Sequence, residues 1–182
     1  MPTTDAFWMS LEEFKVALLR NSHSMFYQVN WAQIIDTMAG EDASLDLSEQ
    51  FHTQWVTHGV RIREQVADDQ MLATVLRRWL PPYSGTALSL FRGESADRFK
   101  AGRVGFCWTP KREVAEMFAS GLNAVRPSGG VLLQAEVPAY AVIAGPGKHS
   151  QYLGEFEYTI EPMKLSFTNN ICCYPPADRR KD

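Results

Sequence analysis

Cysteine is scarce in this chain, and the placement of its three cysteines excludes two classes of site. They are Cys107, Cys172 and Cys173, an odd number with two adjacent, so they do not form the paired framework of a disulfide-rich domain. Their spacing, taken with that of the four scattered histidines, is not that of a zinc site either. We therefore predict no metal and a reducing, cytoplasmic setting.

Long apolar runs and an excess of positive charge are also lacking. No stretch is apolar over the length that a bilayer requires, and the N-terminus carries Asp5, Glu12 and Glu13 where a signal peptide would be apolar. The formal net charge of -3 gives no global basic field for nucleic acid. By contrast, 45% of the 182 residues are apolar, which is enough for a real core in one domain, or one domain with an appended lobe.

The first half of the chain has the patterns of helices. Ser10 and Glu13 have the spacing of a capping box, which predicts a helix that runs to about Arg20. Pro81 and Pro82 end the last helix, because proline cannot donate a backbone hydrogen bond. His52 and His58 do not share a helix face, so packing or surface roles are favoured over a metal pair. Further helices are predicted over residues 30–38, 47–67 and 69–80.

The second half has the patterns of strands and turns. Thr109, as a cap before Pro110, predicts one helix that ends near Gly121, and residues 145–150 are rich in turn formers. Strands are predicted over residues 88–92, 104–109, 131–137, 141–143, 155–160 and, less regularly, 163–171. The fold class is therefore α+β: a helical lobe (1–83) packed on a split β core (84–174), followed by a flexible tail (175–182).

The stretch from Glu155 to Ile160 is the most distinctive in the sequence. Glu155 and Glu157 alternate with Phe156, Tyr158 and Ile160, which is the period of a strand with both carboxylates on one face. Two like charges that close together raise each other's pKa and favour a cationic partner or transition state. An edge strand with one solvated polar face is the better explanation of the pair when it is considered alone.

Three segments, in this order along the chain, resemble the motifs of the ADP-ribosyltransferase family of the arginine–serine–glutamate type. They are Leu90-Phe91-Arg92-Gly93, then Cys107-Trp108-Thr109 with a helix through Phe118, and then Glu155-Phe156-Glu157. The chain is similar to a small bacterial or phage member of that family. The resemblance covers residues 86–164, and each motif alone is weakly specific. The family usually has serine where this chain has Cys107, and a thiol is the weaker hydrogen-bond donor.

The resemblance implies a split-sheet core and NAD as co-substrate, with no metal. It implies that Glu157 stabilises the positive charge that develops on the ribose when nicotinamide leaves, and that Glu155 faces the acceptor. The residues implied to bind NAD are Arg92, Gly93, Cys107, Trp108, Thr109 and Phe118. Gln151 and Tyr152 are implied to form the acceptor loop.

These implications predict a mono-ADP-ribosyltransferase that acts on a macromolecule, protein arginine being favoured over nucleic acid. A toxin, a phage factor or a defence effector would fit, with an antitoxin or regulatory partner on the helical lobe and no membrane association. Alternatives are a nucleic-acid acceptor, NAD hydrolysis at the same site, or an inactive protein-binding member of the family. Two structural roles also remain open: Arg92 paired with Glu94, and Trp108 in the core.

Overall fold

The computed structural model describes residues 8–20 and 26–177, and it has the α+β architecture predicted from the sequence. The chain divides into two compact units, Met1–Pro82 and Tyr83–Asp182. Within the described ranges, no helix has the length and apolar character needed to span a membrane. Most of the predicted tail, residues 178–182, lies outside the described residues, while Ala177 donates a backbone hydrogen bond to Ala124 O at 2.7 Å.

The first unit is helical where residues are described. Its helices are α1 (Leu11–Leu19), α2 (Trp31–Met38), α3 (Leu45–Val66) and α4 (Asp69–Trp79). The capping box predicted for α1 is present, since Glu13 N donates to Ser10 Oγ at 3.2 Å and Ser10 N donates to Glu13 Oε2 at 2.8 Å. The α4 helix ends at Trp79, two residues before the predicted proline stop. Side-chain caps at Asn30, Ser44 and Asp68 begin the other helices.

Aromatic side chains form much of the core of the first unit. Phe14 is fully buried and meets Phe26, Trp31 and Phe51 edge to face, with ring centroids 5.7 to 6.4 Å apart. Such edge-to-face contacts add specificity to the apolar burial that stabilises a core. His52 is buried in α3 in this unit, where burial lowers its pKa to about 4.

The second unit contains two small antiparallel sheets. The first sheet has the order β1-β3-β6 and the second has the order β2-β5-β4. The strands are β1 (Leu88–Ser95), β2 (Cys107–Trp108), β3 (Gly130–Val137), β4 (Val142–Ala144), β5 (Tyr158–Ile160) and β6 (Asn169–Tyr174). The helices of this unit are α5 (Ala96–Lys100), α6 (Arg112–Ser120) and α7 (Lys148–Tyr152), and short 3-10 turns lie at Ala139–Ala141 and Pro162–Lys164.

One isolated bridge joins β1 to the segment that follows β2. Phe91 N donates to Thr109 O at 2.7 Å, and Thr109 N donates to Phe91 O at 2.9 Å. The β1 strand also pairs along its whole length with β3, from Leu88 opposite Val137 to Ser95 opposite Gly130. The strand that ends in the predicted arginine motif is therefore held on both edges, which places Arg92 beside Cys107.

Several predictions from the sequence are wrong in detail. The last predicted strand, at 163–171, is a 3-10 turn at its start (Pro162–Lys164), and β6 covers only Asn169–Tyr174. The acidic stretch is not a continuous strand, because β5 begins only at Tyr158 and Phe156 has a left-handed backbone with φ 49°. Residues 155–157 are irregular, so strand alternation does not place the two carboxylates. The helix after Thr109 begins at Arg112 with Lys111 as its N-cap, later than predicted. The predicted turn at 145–150 contains the start of α7.

Candidate active site

The segment Glu155–Glu157 is held by hydrogen bonds to its backbone. Ser150, which is fully buried in α7, accepts from Glu155 N at 3.0 Å and Phe156 N at 3.3 Å through its carbonyl oxygen. Its side-chain Oγ accepts from Glu157 N at 2.6 Å. On the other side, Thr109 Oγ1 donates to Glu155 O at 2.6 Å. These contacts fix an irregular backbone that period-2 pairing would not produce.

Phe156, in the middle of this segment, is strained. A bulky residue with φ of 49° lies in a region that costs on the order of 1–3 kcal/mol unless its surroundings impose it. The Lys111 Nζ atom lies 4.2 Å from the centre of the Phe156 ring, a cation–π contact between this segment and the turn before α6. Residues with a strained backbone cluster at functional sites, and they persist only where the surrounding structure holds them in that conformation.

Glu157 is the carboxylate with the most unusual environment in this region. Its Oε1 atom is shielded from solvent and has no hydrogen-bond partner, although the residue as a whole is only half-buried. Burial raises the pKa of Glu157 to about 7, against the lowering effects of a hydrogen bond from the Cys107 thiol and of the nearby Arg92 charge. The neighbouring Glu155 charge raises it further. A carboxyl group with one unpaired oxygen and a pKa near neutrality is a candidate for acid–base or charge-stabilising chemistry.

Arg92 lies next to this carboxylate but is already engaged. Its Nε donates to Glu94 Oε2 at 2.9 Å, its second terminal nitrogen is also 2.9 Å from that oxygen, and its other terminal nitrogen donates to Cys107 O. The structural alternative considered from the sequence, a pair with Glu94, is therefore present. The guanidinium orients the main chain at Cys107 and contributes positive charge to the Glu157 environment.

Glu94 is the buried partner of Arg92, and both of its carboxylate oxygens accept hydrogen bonds. Its Oε1 accepts from Ser95 N at 3.0 Å and its Oε2 accepts from Gly105 N at 3.0 Å, in addition to Arg92. Burial alone would raise the pKa of Glu94, but Arg92 and the two backbone donors outweigh it and hold the pKa below its ordinary value. Glu94 is therefore ionised at neutral pH and serves as the fixed counter-charge of Arg92.

The other residues predicted to bind the cofactor divide into two groups. Trp108 is 1% exposed, packs in the main core of the second unit and donates its ring N–H to Gly105 O at 2.9 Å, so it is a core residue. Gly93 is buried beneath α6, where a Cβ would lie 2.4 Å from Ala115 O and Ala119 N. Phe118 is half-buried on α6. Cys107 and Thr109, by contrast, contact the acidic segment directly.

The predicted acceptor loop lies on and around α7. Gln151 Nε2 donates to Pro146 O at 2.8 Å, so its side chain braces the loop. Tyr152 is 87% exposed, and it lies three residues before Glu155 in the sequence. The α7 helix therefore holds the acidic segment through Ser150 on its buried side and presents an aromatic ring to solvent.

Of the predicted residues, the structure brings Arg92, Cys107, Thr109, Glu155 and Glu157 into one cluster. Sequence analysis did not identify Ser150, because a side chain that binds a main-chain N–H seven residues away has no local pattern. The left-handed Gly154, with φ 74°, is the nearest signal that the chain turns there. Among the described residues, no group of three or more potential metal ligands is found. No protein-family model, curated protein or solved structure matches the chain.

Proposed function

We propose that this chain is an ADP-ribosyltransferase that moves ADP-ribose from NAD to a macromolecular acceptor, with arginine of a protein as the favoured acceptor. The observation that supports it best is the environment of Glu157. Three segments distant in the sequence supply Arg92, the Cys107 thiol and an unpaired, shielded carboxylate oxygen at one place. The family resemblance predicts this convergence, because it requires the arginine, the middle strand and the glutamate to meet at one site.

Glu157 is suited to the central step. NAD supplies an electrophilic ribose carbon and nicotinamide as the leaving group. The ionised Glu157 carboxylate stabilises the positive charge on the ribose as that bond breaks, and its unpaired Oε1 is available to accept a hydrogen bond from a ribose hydroxyl. Because the pKa of Glu157 is about 7, activity rises with pH through neutrality.

Arg92 has a revised role in this proposal. Its contacts with Glu94 and Cys107 O occupy three of its five N–H groups, and its side chain is 15% exposed. The remaining N–H groups suit a phosphate or ribose oxygen of NAD at the edge of the site. The main role of the guanidinium is thus to orient Cys107, and contact with the cofactor is its additional role.

Glu155 and Tyr152 are the residues proposed to face the acceptor. Glu155 has its main chain fixed on both sides, by Ser150 and Thr109, while its carboxylate raises the pKa of Glu157 from close by. A carboxylate held in this way can pair with a guanidinium through two parallel hydrogen bonds. The exposed Tyr152 ring offers an apolar surface for the acceptor next to the α7 helix.

The test is a labelling experiment with a matched control. The wild type, Glu157→Gln and Glu136→Gln are incubated with NAD labelled in the adenylate part and a cell lysate, and parallel samples are treated with protease or nuclease. Glu136 is an exposed carboxylate on β3, so its variant controls for loss of one negative charge. We expect protease-sensitive label with the wild type and Glu136→Gln, and none with Glu157→Gln.

Other results redirect the proposal. Label removed by nuclease would identify a nucleic-acid acceptor, and free ADP-ribose with no labelled macromolecule would identify NAD hydrolysis. Absence of both labelling and NAD binding in the wild type would contradict the enzymatic function and favour a protein-binding role.

A further inference from the structure

We propose that Ser150, together with Thr109, is a positioning residue that fixes the Glu155–Glu157 segment so that the Glu157 carboxylate stays at the site. The inference rests on the proposed function for its catalytic meaning, but the positioning itself is measurable without any activity. It assigns a role to a buried hydroxyl in the short α7 helix and gives the Thr109 hydroxyl a structural task.

The hydrogen bonds of Ser150 are concentrated on one segment. Both of its oxygens accept from the acidic segment: the carbonyl from Glu155 N and Phe156 N, and Oγ from Glu157 N at 2.6 Å. Ser150 has no exposed surface, so water cannot replace the Oγ acceptor without rearrangement. Removal of Ser150 Oγ leaves the Glu157 N–H without its hydrogen-bond partner. Glu157 is also the residue whose carboxylate has to stay at the site.

Thr109 completes the attachment from the opposite side. Its Oγ1 donates to Glu155 O at 2.6 Å and accepts from Lys111 N at 3.1 Å, which links the segment to the turn before α6. The main chain of Thr109 is bound in turn to Phe91 on β1. The segment is therefore tied to α7 on one side and to β1, the strand that carries Arg92, on the other.

The irregular backbone makes these ties necessary. Residues 155–157 have no strand pairing of their own, and Phe156 has the unfavourable φ of 49°. Without the two hydroxyls, the segment has a lower-energy extended conformation available, which would carry Glu157 away from Cys107 and expose its shielded Oε1 to water. Misplacement of a catalytic group by about 1 Å costs roughly 100-fold in rate.

The experiment measures the titration of Glu157 directly. Protein labelled with carbon-13 at glutamate carboxyls is titrated by NMR as wild type, Ser150→Ala and Thr109→Val, with Glu157→Gln to assign the resonance. Alanine favours a helix at position 150 and valine keeps the shape of threonine, so each variant removes mainly a hydroxyl. Ser48→Ala is the control, because Ser48 is also a buried serine whose Oγ makes one hydrogen bond, to Trp79 O at 2.9 Å, in the first unit.

We expect the pKa of Glu157 to fall from about 7 towards 4.5 in Ser150→Ala and Thr109→Val, and to stay unchanged in Ser48→Ala. In the ADP-ribosylation assay, kcat of both variants falls about 10- to 100-fold with little change in KM for NAD. A folded Ser150→Ala with wild-type titration and kcat overturns the proposal. If Ser150→Ala does not fold, an unchanged titration in Thr109→Val overturns it instead. If the wild type has no activity but the titration shifts as expected, the positioning role holds and the proposed function fails.

Discussion

The Cys107 thiol donates a hydrogen bond to the Glu157 carboxylate, at the position where the resembled family usually has a serine. The thiol is a weak donor, so the carboxylate is only partly compensated for its burial. This one contact connects the middle motif to the catalytic candidate, and it leads to a prediction in which two substitutions act in opposite directions.

Cys107→Ser lowers the pKa of Glu157 below about 7, because a hydroxyl donates a stronger hydrogen bond to the ionised carboxylate. Cys107→Ala removes the donor and raises that pKa. We expect the acidic limb of the pH–rate profile to move to lower pH in the serine variant and to higher pH in the alanine variant. Cys172→Ser, at an exposed thiol on β6, is the control and leaves the profile unchanged. Shifts in the same direction for both Cys107 variants would contradict the assignment.

Glu157→Gln is expected to stabilise the second unit at alkaline pH. The folded-state pKa of Glu157 is raised from 4.5 to about 7, so the stability it contributes is complete below pH 4.5 and is lost as pH rises through 7. Glutamine cannot ionise and avoids that loss. Because Glu157 is half-buried, we expect the free energy of unfolding of the variant, relative to wild type, to be about 1–3 kcal/mol higher at pH 8 than at pH 4. Urea unfolding followed by NMR signals of the second unit measures it, and equal pH dependence of both proteins would refute the shift.

His52→Leu is expected to reduce the acid sensitivity of the first unit. Burial depresses the pKa of His52 from 6.5 to about 4, so its neutral form contributes stability above pH 6.5 that is lost as pH falls through 4. The His52 Nε2 atom also has no hydrogen-bond partner, so leucine removes a buried polar atom that is unsatisfied. Between pH 7 and pH 4.5, wild type should lose on the order of 2 kcal/mol more than the variant. His58→Gln serves as the control, and urea unfolding at the two pH values decides the outcome.

Gly93→Ala is expected to prevent α6 from packing on β1. The added Cβ would lie 2.4 Å from the backbone atoms Ala115 O and Ala119 N, and backbone atoms cannot turn aside as a flexible side chain can. We expect a loss of at least about 3 kcal/mol, or no folded second unit. Gly145→Ala, whose Cβ would meet only Tyr83 and Tyr158 at 3.8 Å and 3.9 Å, is the matched control. Normal stability of Gly93→Ala together with weak NAD binding would instead favour the cofactor role predicted from the sequence.

The sequence was sufficient to predict elements whose determinants are local. The capping box at Ser10 and Glu13 and the proline stop after Trp79 depend on residues within a few positions of each other. The strands predicted at 88–92 and 131–137 likewise lie within β1 and β3. The class α+β followed from these elements.

Prediction failed where distant contacts override a local pattern. Alternation at 155–160 predicted one strand, but hydrogen bonds accepted by Ser150 and donated by Thr109 hold the first half of it in an irregular conformation. The Thr109 hydroxyl accepts from Lys111 N, and the helix begins only at Arg112. The grouping of Arg92, Cys107 and Glu157 was predicted through a family resemblance, since no spacing in the sequence itself requires it.

The isolated bridge between Phe91 and Thr109 makes the main-chain pairing between the two sheets of the second unit much shorter than the pairing inside the first sheet. Separation of β1 from β3 breaks a ladder of eight residue pairs, whereas separation of β1 from the Thr109 segment breaks two main-chain hydrogen bonds and the contact of Arg92 with Cys107 O. Main-chain pairing is therefore sparser at this seam than within the first sheet, and the shared core that contains Leu90 and Trp108 contributes the rest of its stability. Amide hydrogens of Phe91 and Thr109 should exchange with solvent faster than those in the middle of β3, so the main chain next to Cys107 is protected less well than the centre of the sheet.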